Sequence, residues 1–240
     1  MNKRSAVVLV PTIGLPLVKQ AVESVLSQTH ALTKCMVIID GYQYEERVQH
    51  IFSKIKDPRL NVLTLPSNTG GKKFCGHRIY AALAHLVNED YVLYLDEDNW
   101  LDATHVQSLI ELIEQGDLQW AYSLRKIIQR NGRYLFNDDC QSLGKWPSWN
   151  GPDQWLVDTS CYCIRREVAI HTSSAWHNEH GADRLVYSFL QQNFPRYDTT
   201  GLYTLNYRIG SSQFSVPKEF LAHGNQIMKK RFSNGFPWSK

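Results

Sequence analysis

The chain has 240 residues, of which 43% are hydrophobic, so it is long enough for one large domain or two small ones, and one α/β domain is the simpler interpretation. Its formal net charge of +3 argues against a general nucleic-acid binder, in which basic residues dominate. The basic residues cluster at 72–78 and 229–231, and one acidic run lies at 96–98, which suggests an anionic ligand held partly through a metal ion.

The cysteines and the N-terminal segment bear on location. Five cysteines without a Cys-x-x-Cys pair fit a reducing compartment better than a disulfide framework. Residues 1–10 superficially imitate a secretory signal, but Pro11 and Gly14 interrupt it and no small-x-small cleavage site follows. No run of 18 apolar residues predicts a membrane span. We therefore expect a cytoplasmic protein, with the inner face of a membrane as an alternative place of action.

Strands and helices are predicted to alternate over the first 65 residues. Apolar runs at 6–10, 35–39 and 61–65 predict strands, and helical spacing within 17–28 and 48–55 predicts the intervening helices. Such βαβ units give parallel strands whose carboxyl ends share one edge of the sheet. That edge is expected to carry Pro11, Thr12, Asp40, Asn68 and the acidic run.

A fourth apolar run, 91–95, ends directly in Asp96, Glu97 and Asp98. In an extended segment alternate residues point the same way, so Asp96 and Asp98 are expected to face one cation while Glu97 points elsewhere. Charge at the end of a buried strand is costly unless something uses it. Mn²⁺ or Mg²⁺ is the predicted cofactor, because these ions take carboxylate, phosphate and water oxygens. The alternative is a solvated acidic turn.

A basic segment precedes the third helix, which is predicted to continue to residue 87. Gly70 and Gly71 are followed by Lys72 and Lys73, and Arg78 comes shortly after. Backbone N–H groups and basic side chains at a helix start attract phosphate, although neither a P-loop nor a GxGxxG pattern is present. The alternative is a solvated basic surface.

The second half begins with a predicted helix from Asp102 to Gly116, and Asn131-Gly132 then predicts a hairpin between 118–129 and 134–136. A strand is expected at 156–164, a short helix at 165–170, a helix around residues 185–190 and a last strand at 202–209. The loop 137–155 carries Trp146, Trp149 and Trp155, which either bind a ligand or pack the loop down. No period is evident in 210–240.

The segment 177–184 offers further candidates. His177, Glu179 and His180 do not form a zinc pattern such as His-Glu-x-x-His. Asp183 lies near the start of an apolar-periodic helix. It is either a first-turn stabiliser or a positioned base.

Five motifs in order resemble the family 2 glycosyltransferases of the GT-A fold, over the first 190 residues. They are Val10-Pro11-Thr12, residues 22–29, Ile39-Asp40-Gly41, residues 68–71 and the stretch from Leu95 to Asn99. The resemblance implies an inverting hexosyltransferase that uses a nucleotide-diphosphate sugar, expected to be a UDP-sugar, and a divalent metal. It also implies an α/β GT-A fold, with a Rossmann-like mostly parallel sheet flanked by helices and an antiparallel second half. One domain, 1–240, is expected: 1–100 for the nucleotide sugar, 101–209 for the acceptor, and 210–240 as a tail.

The resemblance also implies roles for individual residues. Asp183 matches the general base, with Glu179 or Asp153 as alternatives. Asp96 and Asp98 match the Asp-x-Asp metal pair, and His223 resembles a late histidine that completes the metal shell. The donor-binding set is Pro11, Thr12, Asp40, Asn68, Lys72, Arg78 and Asp96. The chain departs from the family pattern at Asp40-Gly41-Tyr42, at Gly76-His77-Arg78 and at Ala182-Asp183.

Two other functions are weighed against this one. A sugar-phosphate nucleotidyltransferase normally has a basic glycine-rich loop after the first strand, and residues 11–16 carry no basic residue. A non-catalytic nucleotide-sugar-binding domain is the second alternative. The acceptor is expected to be a glycan, a lipid-linked molecule at a membrane surface, or a protein.

Overall fold

Parallel strands form the first half of one continuous sheet. In the computed structural model, the described residues are 4–151, 154–211 and 215–239. The first four strands lie in the order β3-β2-β1-β4, and every neighbouring pair is parallel. Their bounds are Ala6–Thr12 (β1), Thr33–Ile39 (β2), Leu60–Thr64 (β3) and Tyr91–Tyr94 (β4). The predicted βαβ series is therefore confirmed, and the carboxyl ends of these strands share one edge.

Helices connect these strands as the sequence predicts, although the third ends at Leu83 and not at residue 87. They are Val18–Leu26 (α1), Glu45–Phe52 (α2) and His77–Leu83 (α3). In α1 the buried side chains are Val18, Ala21, Val22 and Val25, which recur at helical spacing and cover the sheet. All seven residues of β1 are buried, as expected for a strand with neighbours on both sides.

The second half of the sheet is mixed rather than purely antiparallel. From β4 the order continues β8-β6-β9-β5, with β7 beside β6. Strand β8 is antiparallel to β4 and to β6, whereas β6 and β9 are parallel. The bounds are Trp100–Leu101 (β5), Trp120–Ile128 (β6), Tyr134–Asn137 (β7), Tyr162–Arg165 (β8) and Tyr197–Arg208 (β9), with helices His105–Gln115 (α4), Arg166–Trp176 (α5), Ala182–Asn193 (α6) and Lys218–Arg231 (α7).

Three second-half predictions are wrong in their bounds. The short helix expected at 165–170 continues to Trp176 as α5. Only the end of the predicted strand 156–164 is extended, because Asp158 accepts a hydrogen bond from the Ser160 N–H and starts a 3₁₀ turn over Thr159–Cys161. Strand β9 begins at Tyr197, earlier than expected, and the Tyr197 ring stacks on Trp120 with 4.1 Å between ring centroids.

The tail predicted to lack a period contains α7. Its buried residues are Leu221, Gly224 and Met228. These recur at helical spacing, but a glycine in the stripe weakens the sequence pattern. Within the three described ranges, no helix is both long and apolar enough to cross a bilayer.

Candidate active site

A cavity of about 630 Å³ opens at the carboxyl ends of the parallel strands. It brings together most of the predicted site residues. Those that line it are Pro11, Thr12, Asp40, Asn68, Asp96, Asp98 and Asp183. Residues from both halves of the chain therefore face one space, as ligand sites of open α/β sheets do.

The acidic run forms a turn rather than the extended segment expected. The Asn99 N–H donates to the Asp96 carbonyl at 3.1 Å, which closes the turn immediately after β4. Asp96 and Asp98 nevertheless both line the cavity. Tyr80 Oη donates to Asp96 Oδ1 at 3.0 Å, and Ser211 Oγ donates to Asp98 Oδ2. Both carboxylates are thus held in place by hydroxyl groups.

Electrostatic repulsion accumulates at this turn. Burial raises the pKa of Asp96 to about 8, and the nearby Asp98 and Asp158 carboxylates add to that effect. Burial likewise raises the pKa of Asp98, although the Ser211 hydrogen bond opposes it. Two partly buried carboxylates that repel each other are stabilised by a nearby cation.

The donor set fits Mg²⁺ or Mn²⁺ with a partial protein shell. Among the described residues, no group of three or more His, Cys, Asp or Glu side chains is arranged to hold a metal ion. Asp96 and Asp98 supply two carboxylates, and these cations commonly combine one or two carboxylates with substrate phosphates and water. The residues present therefore suit an ion that shares its coordination with a bound diphosphate.

Glu97 lines the same cavity as Asp96 and Asp98, and it holds the loop after β1. Its Oε2 accepts from Thr12 Oγ1 at 2.5 Å and from the Leu15 N–H at 3.0 Å, and Oε1 accepts from the Ile13 N–H at 3.2 Å. Burial raises the pKa of Glu97, against the effect of these hydrogen bonds. The carboxylate therefore fixes one wall of the cavity.

Asp40 holds the segment that follows β3. Oδ1 accepts from the Thr69 N–H at 2.7 Å and from Thr69 Oγ1 at 2.8 Å. Oδ2 accepts from Asn68 Nδ2 and from the Gly70 N–H, both at 2.9 Å. All four acceptor positions of the carboxylate are thus engaged by the protein. A contact with a nucleotide base would require Asp40 to share one of them.

Asp183 lies in the first turn of α6, with 24% of its side chain exposed. Gly181 before it has φ +96°, in the left-handed region that favours glycine, and this conformation directs the chain into the helix. Burial raises the pKa of Asp183, which Arg184 opposes and Asp158 reinforces. A carboxylate with a raised pKa that faces a cavity is suited to accept a proton.

Three predicted residues lie elsewhere. The Arg78 guanidinium stacks 3.6 Å from the Phe74 ring centroid and donates to the Thr69 carbonyl at 3.3 Å. His223 is exposed on α7, with its ring edge-on to Trp149 at 5.2 Å. Lys72 is exposed, and none of these three residues lines the cavity. Of the alternative bases, Glu179 is exposed and does not line it, and Asp153 lies outside the described residues.

The segment 70–77 is bonded to the turn before α6. The His180 N–H donates to the Lys73 carbonyl at 2.8 Å, and His77 Nδ1 lies 3.0 Å from the Asn178 carbonyl oxygen. Because a carbonyl oxygen only accepts, Nδ1 carries the proton of this hydrogen bond. Burial lowers the pKa of His77, and the hydrogen bond to Asn178 opposes that effect. Lys72, Lys73 and Cys75 all have positive φ, between 52° and 70°. Such strain in non-glycine residues is concentrated at functional sites.

The tryptophans of the loop 137–155 pack against the C-terminal segment. Trp146 lies 5.6 Å from Trp238, and Trp149 lies 5.0 Å from Phe220, between ring centroids. Gly224 permits this contact, because a Cβ there would come within 2.4 Å of Trp149 Cδ1. These two rings pack the loop down instead of standing open as sugar platforms.

Several cavity residues were not predicted. Arg125, Gln141 and Asp158 form one hydrogen-bonded group on its wall. Arg208 also lines it and donates from Nε to the Asp98 carbonyl at 3.0 Å, which ties β9 to the acidic turn. Only the alternation of β-strand residues could have placed Arg125 and Arg208 on an inner face.

Comparison with solved structures shows the fold. S. aureus TarS residues 1–349 has a TM-score of 0.63 at 16% identity, over 95% of this chain and 72% of that one. The same fragment in complex with UDP-GlcNAc gives 0.62 at 16% identity, over 98% and 73%. The full TarS structure gives 0.61 at 16% identity, over 98% of this chain and 44% of that one. These likenesses confirm the predicted GT-A-like α/β fold.

Comparison by sequence shows the family. No curated protein matches the chain at a significant level. A family profile described as Glycosyl transferase family 2 matches residues 8–165, which is more than half of the chain. The chain belongs to glycosyl transferase family 2, and it is a glycosyltransferase.

Proposed function

We propose that this enzyme moves a sugar from a UDP-sugar to an acceptor hydroxyl, with inversion at the anomeric carbon and with Mn²⁺ or Mg²⁺ as cofactor. The observation that carries the proposal is that Asp96, Asp98 and Asp183 line one cavity at the strand ends. TarS, which shares the fold, has been crystallised with UDP and with UDP-GlcNAc. Those ligands support a nucleotide-sugar donor here.

The donor would lie along the edge of the parallel strands, with the base and ribose near Pro11, Thr12, Asp40 and Asn68. Glu97 and Asp40 keep this edge rigid through their hydrogen bonds to the loops after β1 and β3. The diphosphate would lie near the acidic turn. Residues 1–100 then serve the donor, residues 101–209 serve the acceptor, and 210–240 form the C-terminal tail.

The two acidic sites have opposite tasks. Asp98 and Asp96 would hold the divalent ion, which when bound would supply charge stabilisation for the departing diphosphate. Asp183 accepts the proton of the acceptor hydroxyl while that oxygen forms a bond to the anomeric carbon. The bond from the anomeric carbon to the diphosphate oxygen breaks in the same displacement, and UDP carries away its electron pair. A single displacement inverts the anomeric centre.

The metal assignment is tested by Asp98→Ala. We expect sugar transfer to be lost and the stabilisation of UDP by Mn²⁺ in a thermal-shift assay to disappear, because a ligand that binds only the native state raises its Tm. Glu23→Ala, on the exposed surface of α1, is the matched control and should behave as wild type. Full Mn²⁺-dependent turnover by Asp98→Ala would refute the assignment.

The base assignment is tested by Asp183→Asn. This variant should bind UDP with Mn²⁺ as wild type does, yet lose turnover, because an amide cannot accept the proton. Unchanged turnover would move the role to another residue.

Assays of the wild-type protein distinguish the proposed function from the two alternatives. Pyrophosphate release from UTP and a sugar phosphate would favour a nucleotidyltransferase. Tight UDP binding without transfer or hydrolysis, across a panel of glycan, lipid-linked and protein acceptors, would favour a non-catalytic domain. Transfer to a lipid-linked acceptor only in the presence of vesicles would support action at a membrane surface, and such a result would fit a cytoplasmic enzyme.

A further inference from the structure

A buried ionic group forms part of the cavity wall. Arg125 donates from Nε to Asp138 Oδ2 at 2.7 Å and from Nη1 to Asp158 Oδ2 at 2.5 Å. The third contact runs from Nη2 to Gln141 Oε1 at 2.7 Å, and the Tyr207 ring lies 4.2 Å from the guanidinium carbon. Arg125 is 2% exposed and Asp138 is fully buried. Because two carboxylates surround one cation, the group carries a net negative charge.

The Arg125 guanidinium fixes the direction of the Gln141 amide. A guanidinium has donors only, so the atom of Gln141 that faces it must be the carbonyl oxygen. The amide nitrogen Nε2 therefore points away from the Arg125 guanidinium. Gln141 lines the cavity, is 7% exposed, and its Nε2 has no hydrogen-bond partner within the described part of the chain. We infer that this N–H is available to a ligand in the cavity.

Asp158 presents an acceptor beside that donor. Gln141 and Asp158 bind adjacent nitrogens of one guanidinium, so the two side chains are neighbours. Asp158 also lines the cavity, and each of its oxygens accepts one protein hydrogen bond, which leaves acceptor positions for a ligand. A sugar hydroxyl both accepts and donates, and it fits a neighbouring donor and acceptor.

Ser160 links this pair to the acidic turn. Its N–H donates to Asp158 Oδ1 at 2.9 Å, and its Oγ accepts from the Asp96 N–H at 3.1 Å. Gln141 and Asp158 also line the same cavity as Asp96, Asp98 and Asp183. In the proposed function the transferred sugar lies between the diphosphate at Asp96 and Asp98 and the base at Asp183. The sugar ring must therefore pass along the wall that carries Gln141 and Asp158.

We propose that Gln141 is a specificity-determining residue for the donor sugar. Its amide N–H donates to an oxygen of the transferred sugar, and Asp158 accepts from a hydroxyl next to it. The sugar class is an uncharged hexopyranose, because the carboxylate of a uronic acid at this pair would meet Asp158, and the neighbouring Arg125 already binds Asp138 and Asp158. This inference rests on the proposed function and narrows its substrate class.

The test variant is Gln141→Glu, in which a carboxylate oxygen, an acceptor, replaces the amide N–H donor of residue 141. A glutamate oxygen still accepts from Arg125, so the buried group keeps its contacts, but an acceptor replaces the N–H donor in the cavity. Dissociation constants are measured calorimetrically with Mn²⁺ for UDP, UDP-glucose, UDP-galactose, UDP-GlcNAc and UDP-glucuronate. Gln129→Glu, in the exposed turn between β6 and β7, is the matched control.

We expect the variant to bind its preferred neutral UDP-sugar about tenfold to a hundredfold more weakly, the usual cost of leaving a polar group wrongly paired. UDP itself lacks the sugar and should bind within about twofold of wild type, since its contacts are unchanged. Wild type should bind UDP-glucuronate more weakly than the neutral sugars. The Gln129→Glu control should match wild type for every ligand.

Three results would overturn the inference. These are equal weakening of UDP and UDP-sugar in Gln141→Glu, no weakening of either, and preferred binding of UDP-glucuronate by wild type. If wild type binds none of these nucleotides, the proposed function fails first and this inference with it. If Gln141→Glu does not fold, monodeoxy analogues of the preferred sugar are measured on wild type, and equal binding of all of them overturns the inference.

Discussion

The protonation state of Asp183 decides when the proposed base can act. Burial raises its pKa above the ordinary aspartate value, Asp158 adds to the rise, and Arg184 and the neighbouring His77 oppose it. A base works only when deprotonated, so turnover should fall as the pH falls through this raised pKa. The pH at which half of the turnover is lost should therefore lie above the ordinary aspartate pKa of about 3.9. The measurement is kcat against pH at saturating donor and Mn²⁺.

A stability measurement separates this group from the metal ligands. An acid whose folded pKa is raised costs folding free energy once it ionises, above its unfolded pKa of about 3.9. Asp183→Asn should therefore have a higher Tm than wild type at pH 7, and the difference should shrink as the pH falls toward that value. A Tm gain that does not change with pH would contradict the raised pKa.

Individual site residues could be predicted where the topology fixes them. Asp96 and Asp98 follow the end of a strand, and Asp183 lies at the start of a helix. The predicted order of strands and helices is therefore enough to place all three at the cavity. Arg78 could not be placed this way, because its side chain stacks on Phe74 instead of reaching the cavity. The orientation of Gln141 depends on Arg125, whose position is fixed only once the sheet has formed.

At the scale of elements, the loop after β1 depends on one carboxylate. In Glu97→Gln the side chain keeps one oxygen, so an N–H of Ile13 or Leu15 loses its acceptor. We expect a loss of about 1–3 kcal/mol in the free energy of unfolding, and weaker UDP binding, since the loop forms the cavity wall. Urea denaturation and calorimetry check the two effects. Glu46→Gln, in the first turn of α2, should change neither.

Helix α7 depends on a close approach at Gly224. In Gly224→Ala the new methyl group would lie 2.4 Å from Trp149 Cδ1 and 2.8 Å from Cys140 Sγ, so the helix must shift. Overpacking of this kind costs about 1–3 kcal/mol. Hydrogen exchange should show reduced protection in α7 and in the loop 137–155, while β1 to β4 stay protected. Gln226→Ala, on the exposed side of α7, is the control.

The difference between predicted and observed elements follows from their contacts. Strands β1 and β4 are apolar runs that are buried throughout, so local sequence identifies them. Helix α7 has Gly224 in its buried stripe, where the helix packs closely on Trp149, so the apolar periodicity of its sequence is weak. Strand β9 extends to Tyr197 through its pairing with β6, a contact between residues distant in the chain.

At the scale of the whole molecule, Arg125 joins the middle of the sheet to the loops around the cavity. Arg125→Met leaves Asp138 and Asp158 without their cation, and breaking a buried ion pair in this way costs about 3–5 kcal/mol. Denaturant unfolding at pH 7 measures the loss. Arg133→Met, in the exposed hairpin turn, should be neutral.

The pH dependence of the same variant has a defined sign. Although burial acts to raise it, Arg125 holds the pKa of Asp138 below its ordinary value. In wild type this contribution to stability is present above the unfolded pKa of about 3.9 and is lost as the pH falls through the lower folded pKa. Without the cation, only the N–H groups of Cys140, Gln141 and Ser142 oppose burial, so the pKa of Asp138 should be higher in Arg125→Met than in wild type. The stability difference between wild type and Arg125→Met should therefore narrow as the pH is lowered from 7 to 5. A difference that widens over that interval would contradict this account.

The bonds between segment 70–77 and the turn before α6 have a kinetic consequence. His77 and Lys73 contact that turn, and Asp183 follows it directly. A nucleotide that binds against segment 70–77 would therefore also stabilise the turn before α6 and the adjacent Asp183, where the acceptor must bind. We expect an ordered steady-state kinetic mechanism, in which the UDP-sugar binds before the acceptor and UDP is the last product released. UDP should then inhibit competitively against the donor and noncompetitively against the acceptor, and His77→Ala should relax that order.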